Sequence, residues 1–74
     1  MKKIKFLTIV VLKDWYIEEL KKINDHRFDK DNVFLYFGEI PNMKGHCVVC
    51  GHESGKIYSG YHIENFRVAT EEEV

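Results

Sequence analysis

Residues 45–69, GHCVVCGHESGKIYSGYHIENFRVA, contain the pattern that decides the fold. Two short runs with β-branched and aromatic residues, 46–50 and 56–61 (or 56–62), are separated by a loop, 51–55, that has glycine at both ends. Glycine-containing loops of this length between two such runs are typical of β-hairpins. The segment therefore predicts a strand, a tight loop and a return strand.

The chain after this hairpin predicts a compact ending. Residues 63–66, IENF, suit a single 3₁₀ turn, and residues 67–69 continue as a short closing strand. Residues 70–74, TEEEV, begin with a capping residue and carry three acidic side chains. They predict either a nascent helical turn or a frayed acidic tail.

The N-terminal part predicts one strand and one helix. Residues 3–12 alternate so that both faces are apolar, which indicates a strand that is covered on both sides or meets a partner on its outer face. Apolar residues in 15–23 recur at helical spacing. Asp14 before them is a favourable N-cap, and Asn24 suits the end of the helix.

A turn-rich segment then leads back to the sheet. Residues 24–32 are polar and predict a loop with Phe28 as its apolar anchor. The apolar and aromatic run 33–37 predicts a strand. The glycines and the proline of 38–45 predict a turn that leads into the hairpin.

Together these elements predict a single, mainly β domain over residues 1–74 with one short helix. Four or five antiparallel strands, a helix and loop inserted after the first strand, and a one-turn helix before the last strand indicate a small barrel. A chain of 74 residues has room for one core and no second domain.

The ending also resembles a known family. Gly60, Asn65 and Phe66 occur in the order of strand end, 3₁₀ turn and aromatic residue that closes Src-homology-3 domains, which the C-terminal third of this chain resembles. The resemblance implies a Src-homology-3-like barrel. In that family a proline and a middle-strand tryptophan help to bind proline-rich peptides. Here Ile63 stands at the proline position and the only tryptophan is Trp15, so the resemblance implies the fold and not that ligand.

The predicted function is protein binding without catalysis. Aromatic residues are dense in the C-terminal half, and alternation in strands must turn some of the rings outwards, where they supply contact area at low entropic cost. We expect no cofactor and a protein partner. The apolar faces of the first strand also suit self-association, and an alternative is a small regulatory or inhibitor protein that oligomerises on a target. The expected binding residues are Trp15, Tyr58, Tyr61, His62, Asn65 and Phe66.

The hexapeptide CVVCGH, residues 47–52, has the spacing of half a zinc site. Two thiolates three residues apart, followed by glycine, resemble a zinc-ribbon knuckle. A regular strand would instead point the two cysteines to opposite faces, as ordinary strand residues. The sequence leaves both interpretations open. The alternative hypothesis of one structural zinc ion would use Cys47 and Cys50 with two of His46, His52 and His62.

Charge and hydropathy limit the other classes. Eleven basic and twelve acidic residues give a net charge of −1, which argues against nucleic-acid binding even though Lys2, Lys3 and Lys5 lie together. The apolar run 6–12 is too short for a membrane span, and no cleavage pattern of a signal peptide follows it, so we expect a cytoplasmic protein. Histidines are plentiful near Cys47, but the sequence offers no orienting partner or oxyanion element, so we expect no enzymatic activity.

Overall fold

A computed structural model describes residues 4–28 and 31–74 of the chain. Lys2 and Lys3, and positions 29–30 of the predicted loop, lie outside the described residues. The predicted mainly β architecture with one short helix is confirmed. The elements are β1 (Ile9–Leu12), α1 (Asp14–Lys22), β2 (Val33–Glu39), β3 (His46–Gly51), β4 (Ile57–His62), a first 3₁₀ turn (Ile63–Asn65), β5 (Phe66–Val68) and a second 3₁₀ turn (Glu71–Glu73).

The five strands form one antiparallel sheet in the order β4-β3-β2-β1-β5. This sheet is open: within the described residues, the edge strands β4 and β5 are not hydrogen-bonded to each other. Closure into a barrel by strand pairing, as the sequence predicted, is therefore not observed. The last strand, β5, has only three residues, which pair with β1 along one edge and offer few backbone groups for a second partner on the other.

The two edges nevertheless approach each other at one corner. Only the first 3₁₀ turn separates the end of β4 from the start of β5. The four residue steps from His62 to Phe66 span at most about 14 Å, whereas the edges of a flat five-stranded sheet lie about 19 Å apart. The sheet must therefore be strongly coiled.

One face of the sheet forms the core, and Phe28 lies at the centre of its aromatic cluster. The Phe28 ring lies 5.1 Å from each of the rings of Tyr58 and Tyr61, 5.4 Å from that of Phe34 and 6.2 Å from that of Tyr16. The predicted role of Phe28 as an anchor is thus confirmed. The buried core residues are Val10, Leu12, Phe28, Phe34, Tyr36, Cys47, Val49 and Phe66.

Helix α1 packs at the margin of this core through Tyr16, Ile17 and Leu20. It begins at Asp14, so the predicted N-cap role of Asp14 is wrong; its carboxylate lies in the first turn, where it still favours the helix dipole. The predicted stop at Asn24 is confirmed. The backbone N–H groups of residues 24 and 25 donate to the carbonyls of residues 21 and 20, at 3.1 and 2.8 Å, and Asn24 has a φ of 53°, as in a Schellman motif.

Both ends of the chain differ from the simplest interpretation of the sequence. The predicted strand 3–12 is interrupted: Thr8 N–H donates to the Lys5 carbonyl at 3.1 Å, Leu7 has a φ of 67°, and β1 begins only at Ile9. The acidic tail forms a helical turn rather than a frayed end, with a capping box at Thr70. No helix in residues 4–28 or 31–74 has both the length and the apolar character needed to cross a membrane.

Asp31 is a buried carboxylate that connects the approach to β2 with the β3–β4 hairpin. It is 3% exposed and accepts hydrogen bonds from Tyr58 Oη at 2.7 Å, from Ser54 Oγ at 2.6 Å, and from the backbone N–H groups of Glu53 and Ser54 at 3.2 and 3.1 Å. Burial alone would raise the pKa of Asp31, but these donors outweigh it and hold the pKa below its usual value. The hairpin loop is thus fixed by an ionised side chain.

Gly51 is the residue that makes room for this carboxylate. A Cβ atom placed on Gly51 would lie 2.3 Å from Asp31 Oδ2, closer than van der Waals contact allows. Position 51 therefore requires glycine because of the close approach of Asp31, without any need for a positive φ.

We predict that Gly51→Ala lowers the free energy of unfolding by roughly 1–3 kcal/mol, because the added methyl group displaces Asp31 from its donors. Denaturant unfolding of Gly51→Ala, Asp31→Ala and the double variant forms the double-mutant cycle that checks this. We expect Gly51→Ala to lower the free energy of unfolding much less in the Asp31→Ala background than in the wild type. Equal costs in both backgrounds would contradict the steric account.

We predict that Asp31→Asn removes a pH-dependent part of the stability. The folded-state pKa of Asp31 is lowered, so the ionised carboxylate stabilises the fold above its unfolded pKa of about 4, and this contribution disappears as the pH falls through the folded-state pKa. At pH 7 the variant should be less stable by roughly 1–3 kcal/mol. The difference in the free energy of unfolding between wild type and variant should narrow on acidification to pH about 3. A difference that does not change with pH would show that Asp31 is not the titrating group.

Candidate functional site

The side of the sheet opposite the core carries a second set of apolar side chains. Cross-strand pairing aligns Ile9 with Leu35, Leu35 with Cys50, and Cys50 with Ile57, which gives one apolar row across four strands. Cross-strand partners share a face of the sheet. We call this side the outer face; its apolar members are Ile9, Val11, Val33, Leu35, Phe37, Val48, Cys50 and Ile57.

Most of the outer face is partly accessible to solvent. Ile57 is 58% exposed, and most of the other members are partly exposed. The ring of exposed Phe6 lies 6.3 Å from that of Phe37. Antiparallel sheets with one solvated face usually place polar residues on it, and a contiguous exposed apolar surface is typical of an interaction site.

Polar groups border the outer face at both ends. At the β5 end, Arg67 donates two hydrogen bonds to Glu73, at 2.7 and 2.6 Å, and Val11 beside Arg67 is only 7% exposed. The hydrogen bonds from Arg67 lower the pKa of Glu73 to about 2. At the β4 end, His46 and His62 are cross-strand partners. An apolar centre with a polar rim is the usual composition of a protein interface.

The predicted aromatic binding residues do not form one surface. Phe66 and Asn65 are buried, and Phe66 belongs to the core. The rings of Tyr58 and Tyr61 pack against the core, while His62 is exposed at the rim of the outer face. Gly60 is left out of the β3–β4 pairing, and the register of these two strands shifts at this point. Both tyrosines still pack against the core and not on the outer face.

Trp15 lies apart from these residues, in a shallow groove beside β5. It is 53% exposed, and the groove has a volume of about 450 Å³. Its walls include Ile63, Phe66 and Val68. Of the predicted binding residues, Trp15 and Phe66 therefore meet here, with Phe66 contributing only a buried edge.

The two cysteines of the CVVCGH motif lie on opposite faces of β3. Cys47 is fully buried in the core, where burial and then the charge of Glu39 raise the pKa of its thiol to about 11. Cys50 is half-buried on the outer face. Among residues 4–28 and 31–74, no group of three or more His, Cys, Asp or Glu side chains is placed to hold a metal ion. The predicted cysteine–histidine zinc set is thus not assembled.

The three histidines of the predicted zinc set do not come together either. His52 is exposed in the hairpin loop. The ring centroids of His46 and His62, in contrast, are 4.2 Å apart across the hairpin.

Comparison with known proteins does not identify this surface. No family model, curated protein or solved structure matches the chain. The chemistry of the outer face and of the groove is therefore the basis for a functional assignment.

The sequence indicates this apolar surface only in part, through the apolar faces of the first strand. The signal was present in β2, where residues 33–37 are apolar or aromatic without a gap, so both faces of that strand are apolar. The hydrogen bonds from Glu53, Ser54 and Tyr58 to Asp31, which we call the Asp31 clamp, had no comparable signal in the sequence. Their donors lie 22 to 27 residues away from Asp31 along the chain.

We predict that the two cysteines differ sharply in reactivity. Iodoacetamide at pH about 8 should label Cys50 in the folded protein and leave Cys47 protected until unfolding, because only the thiolate reacts and Cys47 is buried. Mass spectrometry of labelled wild type and Cys50→Ser measures this. Rapid labelling of native Cys50→Ser would contradict the core placement of Cys47.

Proposed function

We propose that this protein is a small interaction module, without catalytic activity, that binds another protein through the outer face of its sheet. The observation that carries the proposal is the apolar row Ile9, Leu35, Cys50 and Ile57, which crosses four strands on the side opposite the core. Burial of apolar surface is the main driving force of protein association. A sheet face of this composition is best explained by a partner that covers it.

As part of this proposal, we infer a Src-homology-3-like fold. The strand order β4-β3-β2-β1-β5 and the 3₁₀ turn that separates β4 from β5 support it. The coiling that this short connection requires is also a property of small barrels. The Trp15 groove lies beside the same turn, and it provides a second, smaller contact surface for the partner.

The size of the outer face favours a weak, reversible contact. Four strands at about 4.8 Å spacing and five residues at about 3.3 Å each cover roughly 20 Å by 17 Å. The accessible surface that each partner contributes to a standard interface is about 800 Å². A projected area of roughly 300 Å² is clearly smaller, so we expect dissociation constants in the micromolar range.

The expected partner is a protein because the surface is apolar and the chain is nearly neutral. A net charge of −1 supplies little attraction for nucleic acid and little repulsion between copies of the chain, so a second copy is also a suitable occupant. A regulatory protein that acts by associating with its target fits the same chemistry. The two free thiols suit a reducing compartment, and we place the protein in the cytoplasm.

The state of the buried thiol, Cys47, supports the absence of nucleophilic catalysis at that residue. The buried Cys47 thiol has a pKa of about 11 and is protonated at neutral pH. A nucleophilic cysteine needs a lowered pKa and access to substrate. A binding role makes no such demand on this side chain.

We predict that Ile57→Lys weakens association at least about tenfold, because it places a charge at the end of the apolar row. Ile23→Lys is the matched control, since Ile23 is 66% exposed just after α1, away from the outer face. Sedimentation equilibrium up to about 1 mM protein measures self-association. Capture from a lysate of the source organism, followed by binding assays with the purified captured protein, measures association with a different partner.

A second outer-face variant, Val48→Thr, keeps the β-branched shape and replaces one methyl group with a hydroxyl group, so it tests the surface with little risk to the fold. The proposal predicts that both outer-face variants lose binding and that Ile23→Lys retains it. It is wrong if the wild type stays monomeric and every purified captured protein binds Ile57→Lys as well as it binds the wild type.

A further inference from the structure

His46 and His62 form a close cross-strand pair whose backbone geometry brings their side chains together. Ile63 N–H donates to the Gly45 carbonyl at 2.9 Å, which places His46 and His62 at a non-hydrogen-bonded position of the antiparallel ladder. Side chains at such positions are closer than at hydrogen-bonded ones. Their ring centroids are 4.2 Å apart with an interplanar angle of 41°.

The ring of His46 is oriented by a backbone carbonyl group two residues earlier in the chain. Nδ1 of His46 lies 3.2 Å from the Lys44 carbonyl oxygen. Because a carbonyl can only accept, Nδ1 must carry the proton, and in the neutral imidazole Nε2 then presents its lone pair. A histidine whose second ring nitrogen donates to a backbone carbonyl is the arrangement usually found for metal-binding histidines.

We propose that His46 and His62 bind a divalent transition-metal ion, with one ring nitrogen from each. Metal–nitrogen bonds of about 2.1 Å allow two ligating nitrogens to lie up to about 4.2 Å apart. The ring centroids are that close already, and rotation of the exposed His62 ring about its side-chain bonds has to bring one of its nitrogens within this distance of Nε2 of His46. Two imidazoles with water at the remaining positions form a tetragonal nitrogen and oxygen set, which suits Cu²⁺ and Ni²⁺, with Cu²⁺ bound more tightly.

This site differs from the predicted zinc site, because no cysteine takes part. Cys47 points into the core, and Cys50 lies four residues from His46 along β3, about 13 Å away in a strand. The ion would join β3 to β4 at the end of the hairpin next to the first 3₁₀ turn. Metal binding is therefore expected to stabilise the folded protein as well.

Isothermal titration with Ni²⁺ tests the proposal, since Ni²⁺ does not oxidise the thiols. The wild type should bind one ion, and His62→Ala and His46→Ala should each lower the affinity at least about tenfold. The chain supplies two matched controls, His26→Ala and His52→Ala, in which an exposed histidine outside the pair is removed. Both controls and Cys50→Ser should bind within twofold of the wild type.

A second readout distinguishes ligation from a loss of structure. The thermal midpoint of the wild type should rise with Ni²⁺, and that of His62→Ala should not, although both fold by circular dichroism. Because His62 is exposed, this variant decides the question even if His46→Ala fails to fold. The proposal is overturned if the wild type binds no ion, if His62→Ala binds normally, or if Cys50→Ser loses binding.

Discussion

The buried carboxylate of Asp31 is the constraint on which the position of the hairpin depends. Burying a charge is unfavourable unless hydrogen bonds replace its hydration, and here donors from the hairpin loop and from Tyr58 do so. The Tyr58 hydroxyl binds Asp31 while its ring packs 5.1 Å from that of Phe28. The Tyr58 side chain thus joins the Asp31 clamp to the aromatic core. Position 51 requires glycine because the Asp31 carboxylate occupies the space that a Cβ atom would fill.

This arrangement holds the sheet from one side only. Phe28 and Tyr58 pack on the core face, and α1 packs against the same core through Tyr16, Ile17 and Leu20. On the outer face, the ion pair of Arg67 and Glu73 lies beside Val11 at one end. The row from Ile9 to Ile57 remains partly accessible, and residues 4–28 and 31–74 supply no second layer of secondary structure that covers it.

The sequence predicts local structure here better than long-range arrangement. The hairpin, the 3₁₀ turn, the stop at Asn24 and the anchor Phe28 follow from turn chemistry and apolar spacing, which act over a few residues. The turn at Leu7 was missed because a leucine with positive φ has no sequence signal. The open sheet, the Asp31 clamp and the burial of Phe66 depend on contacts between distant segments, and the aromatic surface predicted from composition was divided by them.

The two-residue period of β3 explains why its two cysteines lie on opposite faces and why its first histidine faces outwards. Alternate residues of a strand face opposite sides, so Cys47 enters the core while His46, Val48 and Cys50 face outwards. Cys50 is too far along the strand to share an ion with His46, whereas His62 stands directly opposite on β4. Because of the same alternation, Cys50 lies in the apolar row and His46 lies at the polar rim of the outer face. The proposed metal site and the proposed interface therefore lie on neighbouring parts of one face, and an ion at the histidine pair would add positive charge at the edge of that interface.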